Sequence, residues 1–207
     1  MFNDKYGLTQ AVLEGRKTMT RRIITRPETY KGQPVRGFRV TESKDIRLSV
    51  EMRVYDEDCD DFTPMYIQPR YEASEIVAIA QSYKSLGMNP ELPLNDKDGI
   101  GFYTKTKFAP GWKNKMFVRA DLMPHHIRII NIKIERLQDI SDGDCAAEGI
   151  RVFKNGFACY DDKVLIAKSN IYPSPREAYT ALIDRSSGKG TWESNPFVFA
   201  YEFELVD

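Results

Sequence analysis

Cysteine is scarce: Cys59, Cys145 and Cys159 are spread over 207 residues, an odd number at wide spacing that does not suggest a disulfide framework. Reduced thiols and a cytoplasmic location are the expectation. Histidine is scarcer still, with His125 and His126 adjacent and no cysteine or acid at ligand spacing, so a zinc site is not expected and neither is any other cofactor. No apolar run approaches the roughly 18 residues of a membrane span, and the opening Met-Phe-Asn-Asp-Lys lacks the apolar core of a signal peptide. A membrane partner is therefore not expected. Net charge is absent too: 30 Lys and Arg balance 30 Asp and Glu, which argues against a protein that coats nucleic acid by bulk attraction. Internal repeats and low-complexity tracts are missing, and the length fits one domain with large insertions.

What is present is locally dense. Gly15-Arg16-Lys17-Thr18-Met19-Thr20-Arg21-Arg22 crowds cations and hydroxyls just past an amphipathic helix, Leu8 to Glu14, with Thr9 placed to cap its start and Gly15 to end it. Ile23-Ile24 reads as the start of a strand, so Lys17 and Thr20 belong to a short connector held at both ends. Arg16, Lys17, Arg21, Arg22 and Arg26 form one basic segment; Lys105, Lys107, Lys113, Lys115 and Arg119 form a second, interleaved with Phe108, Trp112 and Phe117. Brought together, the two make a basic, aromatic-edged cleft suited to phosphates and bases. Kept apart, they are ordinary solvated side chains.

Strands dominate the rest. Arg47 to Tyr55 alternates and pairs with Phe38 to Glu42 as a hairpin; Glu75 to Ala80, Met116 to Ala120 and Ile127 to Glu135 follow, the last with Ile130, Ile132 and Ile134 on one face. Ser141-Asp-Gly-Asp144 reads as a capping box for a short helix, Asp142 to Glu148, stopped by Gly149. Ser174-Pro-Arg-Glu177 opens a helix through about Asp184, and Phe197 to Val206 closes as a strand with Glu202 and Glu204 toward solvent. This order is α+β, without βαβ alternation, and fits a small, mostly antiparallel β-barrel with helices at its rim. Residues 27–70 and 84–114, rich in Pro, Gly, Asn and charge, read as long loops or insertions.

Three segments, Gly15 to Arg22, Glu135-Arg-Leu-Gln-Asp-Ile-Ser-Asp-Gly-Asp-Cys-Ala-Ala-Glu-Gly-Ile150, and Trp192-Glu-Ser-Asn-Pro-Phe-Val-Phe-Ala-Tyr-Glu-Phe203, together resemble the ASCH family of the PUA-like superfamily, nearest its longer branch common in bacterial and phage genomes. Residues 27–70 and 151–172 match no part of the family pattern and stand as insertions, with 84–114, in a single ASCH/PUA-like domain spanning 1–207. The resemblance implies a five- or six-stranded β-barrel with edge helices and a cleft beside the first helix that takes RNA or a nucleotide. A branch of very small members, similar in its GRKTxT segment, hydrolyses cytidine acylated on the exocyclic amine with a lysine, a threonine and a glutamate, which fall on Lys17, Thr20 and Glu148 here.

Amide hydrolysis needs a nucleophile, a base and an acid for the leaving amine, and those residue types suffice: Thr20 as nucleophile, Lys17 as base, Glu148 as proton shuttle. Burial beside Arg16, Arg21 or Arg22 is expected to lower the Lys17 pKa. The binding set is Arg16, Arg21, Arg22, Trp112, Lys115, Arg119 and Asn195, the last placed to meet a base edge. The alternatives are an RNA-binding module without catalysis, in which the same cations grip phosphates, and an interaction protein of a phage or mobile element whose insertions contact a partner. Two further motifs fail on inspection. Asp56-Glu-Asp-Cys-Asp-Asp61 begins like a calcium loop but lacks its glycine and its final glutamate. Ser186-Ser-Gly-Lys-Gly-Thr191 resembles a phosphate loop but follows a helix where such a loop precedes one.

Overall fold

The computed structural model describes residues 2–25, 27–30, 32–41, 49–54, 65–94, 105–159 and 171–206. Arg26, Cys59 and the calcium-like segment from Asp56 to Asp61 lie outside them. The fold is α+β, built on a curled antiparallel half-barrel.

The chain opens with helix α1, Leu8–Leu13. Its cap is Gly7, not Thr9; the Thr9 hydroxyl is buried and donates to the Asp4 carboxylate instead. Gly15, at φ 68°, ends the helix in the left-handed region where a side chain is costly. Strand β1, Met19–Ile23, starts four residues earlier than Ile23-Ile24 suggests and ends where that strand was expected to begin. Thr20 therefore sits in the strand, and Lys17 alone remains in the connector.

Residues 27–70, read as long loops or insertions around one hairpin, hold a second antiparallel sheet: β2 Thr29–Tyr30, β3 Gln33–Thr41, β4 Ser49–Val54 and β5 Met65–Ile67, in that spatial order. The β3–β4 hairpin is the one its alternation predicts. After β6, Ile76–Ala78, the chain runs through 3-10 turns. Met116 to Ala120, expected as a strand, is two of these turns, Lys115–Phe117 and Ala120–Leu122, because Asn114 caps the Met116 amide and Met116 and Phe117 stand exposed. An apolar pair without a buried face gives a strand nothing to hold.

Strand β7, His126–Arg136, pairs with β10, Phe197–Val206, along its length. Glu202 faces Asn131 while Phe203 faces Ile129, so Ile130 is the extra residue of a bulge. The bulge resets the pleat: Ile127 and Ile129 point inward, Ile130 is 49% exposed, and Ile132 and Ile134 return to the core. Simple alternation puts Ile130 on the same face as Ile132 and Ile134; the extra residue breaks that phase. With β1 and β6, these strands form the half-barrel in the order β1-β10-β7-β6.

Helix α2, Asp142–Ala147, is capped by Ser141, whose hydroxyl accepts from the Asp144 amide. Hairpin β8 Ile150–Phe153 and β9 Gly156–Cys159 follows. Then come α3, Pro175–Ser187, capped by Ser174 and about one turn longer than expected, and the short α4, Thr191–Ser194. Alternate residues of β10 feed two cores. Val198 packs with Leu137, Cys145 and Leu182 under the helices, while Phe199, Tyr201 and Phe203 pack with Val12, Ile79 and Ile129 inside the curl. That division is why β10 is apolar on both faces until Glu202 and Glu204 reach solvent.

Candidate functional site

Three backbone hydrogen bonds set the site. The amide of Lys17 donates to Ala11 at the end of α1, the Thr18 amide donates to Ala147 in α2, and the Phe203 amide of β10 donates to Thr18. The connector thus ties the first helix, the second helix and the central strand together, and brings Lys17 beside Glu148, the residue that ends α2. Gly149, at φ 101°, then turns the chain into β8.

Lys17 and Glu148 are both buried, 2% and 4% exposed. Lys17 Nζ donates to Glu148 Oε2 at 2.6 Å, to the Glu148 carbonyl at 2.8 Å and to the Met19 carbonyl at 2.7 Å. Three acceptors match the three donors of an ammonium. One of those acceptors is a helix-terminal carbonyl, where a cation is favoured by both hydrogen bonding and the helix dipole. Burial pulls the Lys17 pKa down from its ordinary value, the charge and hydrogen bond of Glu148 oppose this, and nearby Arg22 and Arg21 reinforce the decrease. Burial leads this shift, as expected, with the two arginines contributing less.

Arg21 completes the cluster from β1. Its guanidinium is fully enclosed and meets Glu148 Oε1 at 3.3 Å, Asp144 Oδ2 at 2.7 Å and Glu135 Oε1 at 2.6 Å. Glu148 is thereby held by a different cation on each oxygen. Burial disfavours charge on Arg21, but Glu148 and Glu135 outweigh it and raise its pKa. Burial likewise works against the Asp144 carboxylate, and hydrogen bonds from Arg21 and Lys133 overcome it, holding that carboxyl below its usual range. Arg21 is therefore saturated by protein carboxylates, which leaves its guanidinium to position Glu148.

A cavity of about 360 Å³ opens onto this pair, lined by Lys17, Thr20, Arg21, Arg22 and Glu148 from one side and Tyr179 from α3. Its size lies near the lower end for small-molecule sites, roughly 300–1,000 Å³. Thr20 is half-buried, and its hydroxyl makes no hydrogen bond among the described residues. Tyr179, Ser186 and Ser187 also face the cavity, and sequence reading had not placed Tyr179 there. Burial, then the charge of Glu148, pushes the Tyr179 phenol well up, so it stays a neutral donor. Nothing in the sequence separates Tyr179 from the other apolar-face residues of α3; the phosphate-loop-like Ser186-Ser187 is the one local hint.

The remaining expected binding residues divide. Arg22 and Lys115 line the cavity. Lys115 Nζ is engaged by the Phe2 carbonyl, the Asp4 carboxylate and the Thr9 hydroxyl. Arg16 pairs with Glu14 at 2.6 Å, Arg119 with Asp121 at 2.8 Å, and Lys105 and Lys107 both with Glu91. Trp112 sits in the turn Pro110–Trp112. Asn195, in a left-handed conformation, accepts from the Gln138 amide and so fastens the entry of β10 to the end of β7. Trp192 packs edge-on against Tyr179 at 6.3 Å between ring centres. Among the described residues, Lys115 of the second basic segment joins Lys17, Arg21 and Arg22 of the first in this cavity's lining, and Arg16, Trp112, Arg119 and Asn195 lie outside it.

Comparison with models of protein families, with curated proteins and with solved structures finds no match to this chain. Among the described residues no helix is long and apolar enough to cross a membrane.

Proposed function

We propose that the protein is an ASCH-type amidohydrolase that takes a modified nucleoside, free or in RNA, into the cavity beside Lys17 and removes an acyl group from its exocyclic amine. The observation that carries the reading is the 2.6 Å contact between Lys17 Nζ and Glu148 Oε2 on the wall of a cavity that Thr20 also lines. It is supported by the resemblance of the Gly15 to Arg22, Glu135 to Ile150 and Trp192 to Phe203 segments to that family.

The saturated ammonium of Lys17 holds no lone pair, so it becomes a base only when its proton passes to Glu148. The short contact and the burial that disfavours separated charges both ease that transfer. Neutral Lys17 then takes the Thr20 hydroxyl proton as Oγ1 attacks the acyl carbonyl carbon. The carbon–nitrogen bond breaks, the leaving nitrogen takes the proton from Glu148, and the ammonium–carboxylate pair is restored. Water hydrolyses the ester on Thr20, releasing the carboxylic acid. Arg21 fixes the Glu148 carboxylate throughout.

A second reading, RNA binding without catalysis, is favoured by the exposed Phe108 and Phe117 beside basic residues. Incubation with N-acylated cytidines, following release of cytidine, separates the two. Turnover that disappears in Lys17→Ala and Glu148→Ala supports the hydrolase; no turnover together with salt-sensitive RNA binding supports the alternative.

A further inference from the structure

A second cavity of about 310 Å³ shares Phe2, Thr20, Arg22 and Lys115 with the first. The two cavities adjoin as neighbouring lobes, and Thr20 is one of the residues that line both. Beyond the four shared residues their linings differ in the kind of side chain that dominates. The lobe on the Lys17 side carries Asp4, Lys17, Arg21, Glu148, Ser186 and Ser187, beside Leu8, Leu182 and Ile183. The other is walled mainly by Val77, Ile79, Val118, Met123, Ile127 and Ile129, with Tyr71 and Tyr201, and the cations Arg22, Arg70 and Lys115 complete its lining. Tyr201 is anchored there, its hydroxyl accepting from the Arg70 amide at 3.0 Å, and Tyr71 meets it edge-on at 5.8 Å between ring centres. The apolar lobe is thus built from core side chains of β6, β7 and β10 with a braced aromatic side.

We infer that this apolar lobe is an acyl subsite, and that the preferred substrate carries an aliphatic acyl group of several carbons in place of a simple acetyl. The inference rests on the hydrolase reading and extends it. With the scissile carbonyl at Thr20, one lobe must receive the acyl chain and the other the leaving amine. Glu148, which supplies the proton to that nitrogen, lines the polar lobe alone, so the nucleoside lies on the Lys17 side and the chain enters the apolar side. An acetyl group ends at the junction and leaves the apolar lobe filled with water. A six-carbon chain displaces that water, and each buried methylene contributes favourably. Hydrolysis takes up one water and releases the free nucleoside amine and the carboxylic acid, with no other reactant.

The test compares cytidine bearing acetyl and hexanoyl groups on its exocyclic amine, with wild-type protein and with Val118→Phe, a half-buried position in an irregular segment that narrows the apolar lobe. The expected result is kcat/KM at least about tenfold higher for hexanoyl than for acetyl in the wild type, with Val118→Phe lowering the hexanoyl value to or below that for acetyl. Equal or better turnover of acetyl by the wild type overturns the subsite. Binding of the same compounds and of unmodified cytidine, read by NMR shifts of the Val77 and Val118 methyls, separates the two claims. Should neither compound be hydrolysed, hexanoyl-cytidine binding at least about tenfold tighter than cytidine, and weakened by Val118→Phe, upholds the apolar subsite while the hydrolase reading fails; no gain in affinity overturns the subsite as well.

Discussion

Lys17 Nζ lies 2.6 Å from Glu148 Oε2 although 131 residues separate them in sequence. The ammonium is also bonded to the Glu148 carbonyl, so one side chain both neutralises the acid and closes the end of the helix that carries it. Removing it leaves a buried carboxylate and an orphaned carbonyl at once.

Lys17→Met should therefore cost about 3–5 kcal/mol, the usual consequence of breaking a buried pair, a large share of the roughly 5–15 kcal/mol that a domain has. Urea unfolding checks it. A loss below about 1 kcal/mol would mean that the pair is solvated.

The pH dependence has a defined sign. Burial lowers the Lys17 pKa in the folded state from 10.5, so between the folded value and 10.5 the unfolded chain binds a proton that the folded chain does not. Stability from this group rises with pH across that window and is lost as pH falls through the folded pKa. NMR titration of the Lys17 side chain should give a midpoint below 10.5. Glu148 holds the charge on Lys17, so Glu148→Gln should move the midpoint lower still; an upward move would contradict the arrangement.

Gly149→Ala tests the turn that sets Glu148. An added Cβ meets Leu8, Lys17 and Ala11 at ordinary distances of 3.6–3.7 Å, but φ is 101°. The cost is backbone strain, about 1–3 kcal/mol, and turnover should fall because the strain is relieved by moving Glu148. A thermal melt within error of wild type would contradict the assigned backbone.

Cys145 is fully buried and its thiol is pushed up to about 12, chiefly by burial. Peptide mapping after alkylation at pH 8 should find Cys145 unmodified in the native protein and modified in urea. Rapid native labelling would mean that the packing around α2 is looser than described.

Local chemistry made several elements legible in the sequence. Ser141 and Ser174 announced their helices, Gly15 and Gly149 their ends, and the apolar run of β10 a closing strand with Glu202 and Glu204 toward solvent. Features that depend on partners distant in sequence were not legible. The β7 bulge at Ile130 exists only against β10, the strand expected at Met116 lacks a buried face, and of the sheet within 27–70 only the β3–β4 hairpin showed in the alternation, the short β2 and β5 at its edges being too brief to carry a pattern. Within the site, Lys17, Thr20 and Glu148 could be named from residue type and resemblance. That Arg21 spends its charge on Glu135, Asp144 and Glu148, and that Tyr179 lines the cavity, depends on β1, α2 and α3 meeting in space.

Thr20→Val is the most direct test of the reaction assigned to this cavity. Valine keeps the shape of threonine and suits a strand, and Thr20 lies outside the buried ion cluster, so the variant should fold as the wild type does. The measurement is the single-turnover rate of acyl release from an N-acylated cytidine. Hydrolysis by the wild type, at least about 100-fold slower in Thr20→Val with unchanged thermal stability, is the predicted result; a rate within about threefold of the wild type would remove Thr20 as the nucleophile and contradict the mechanism.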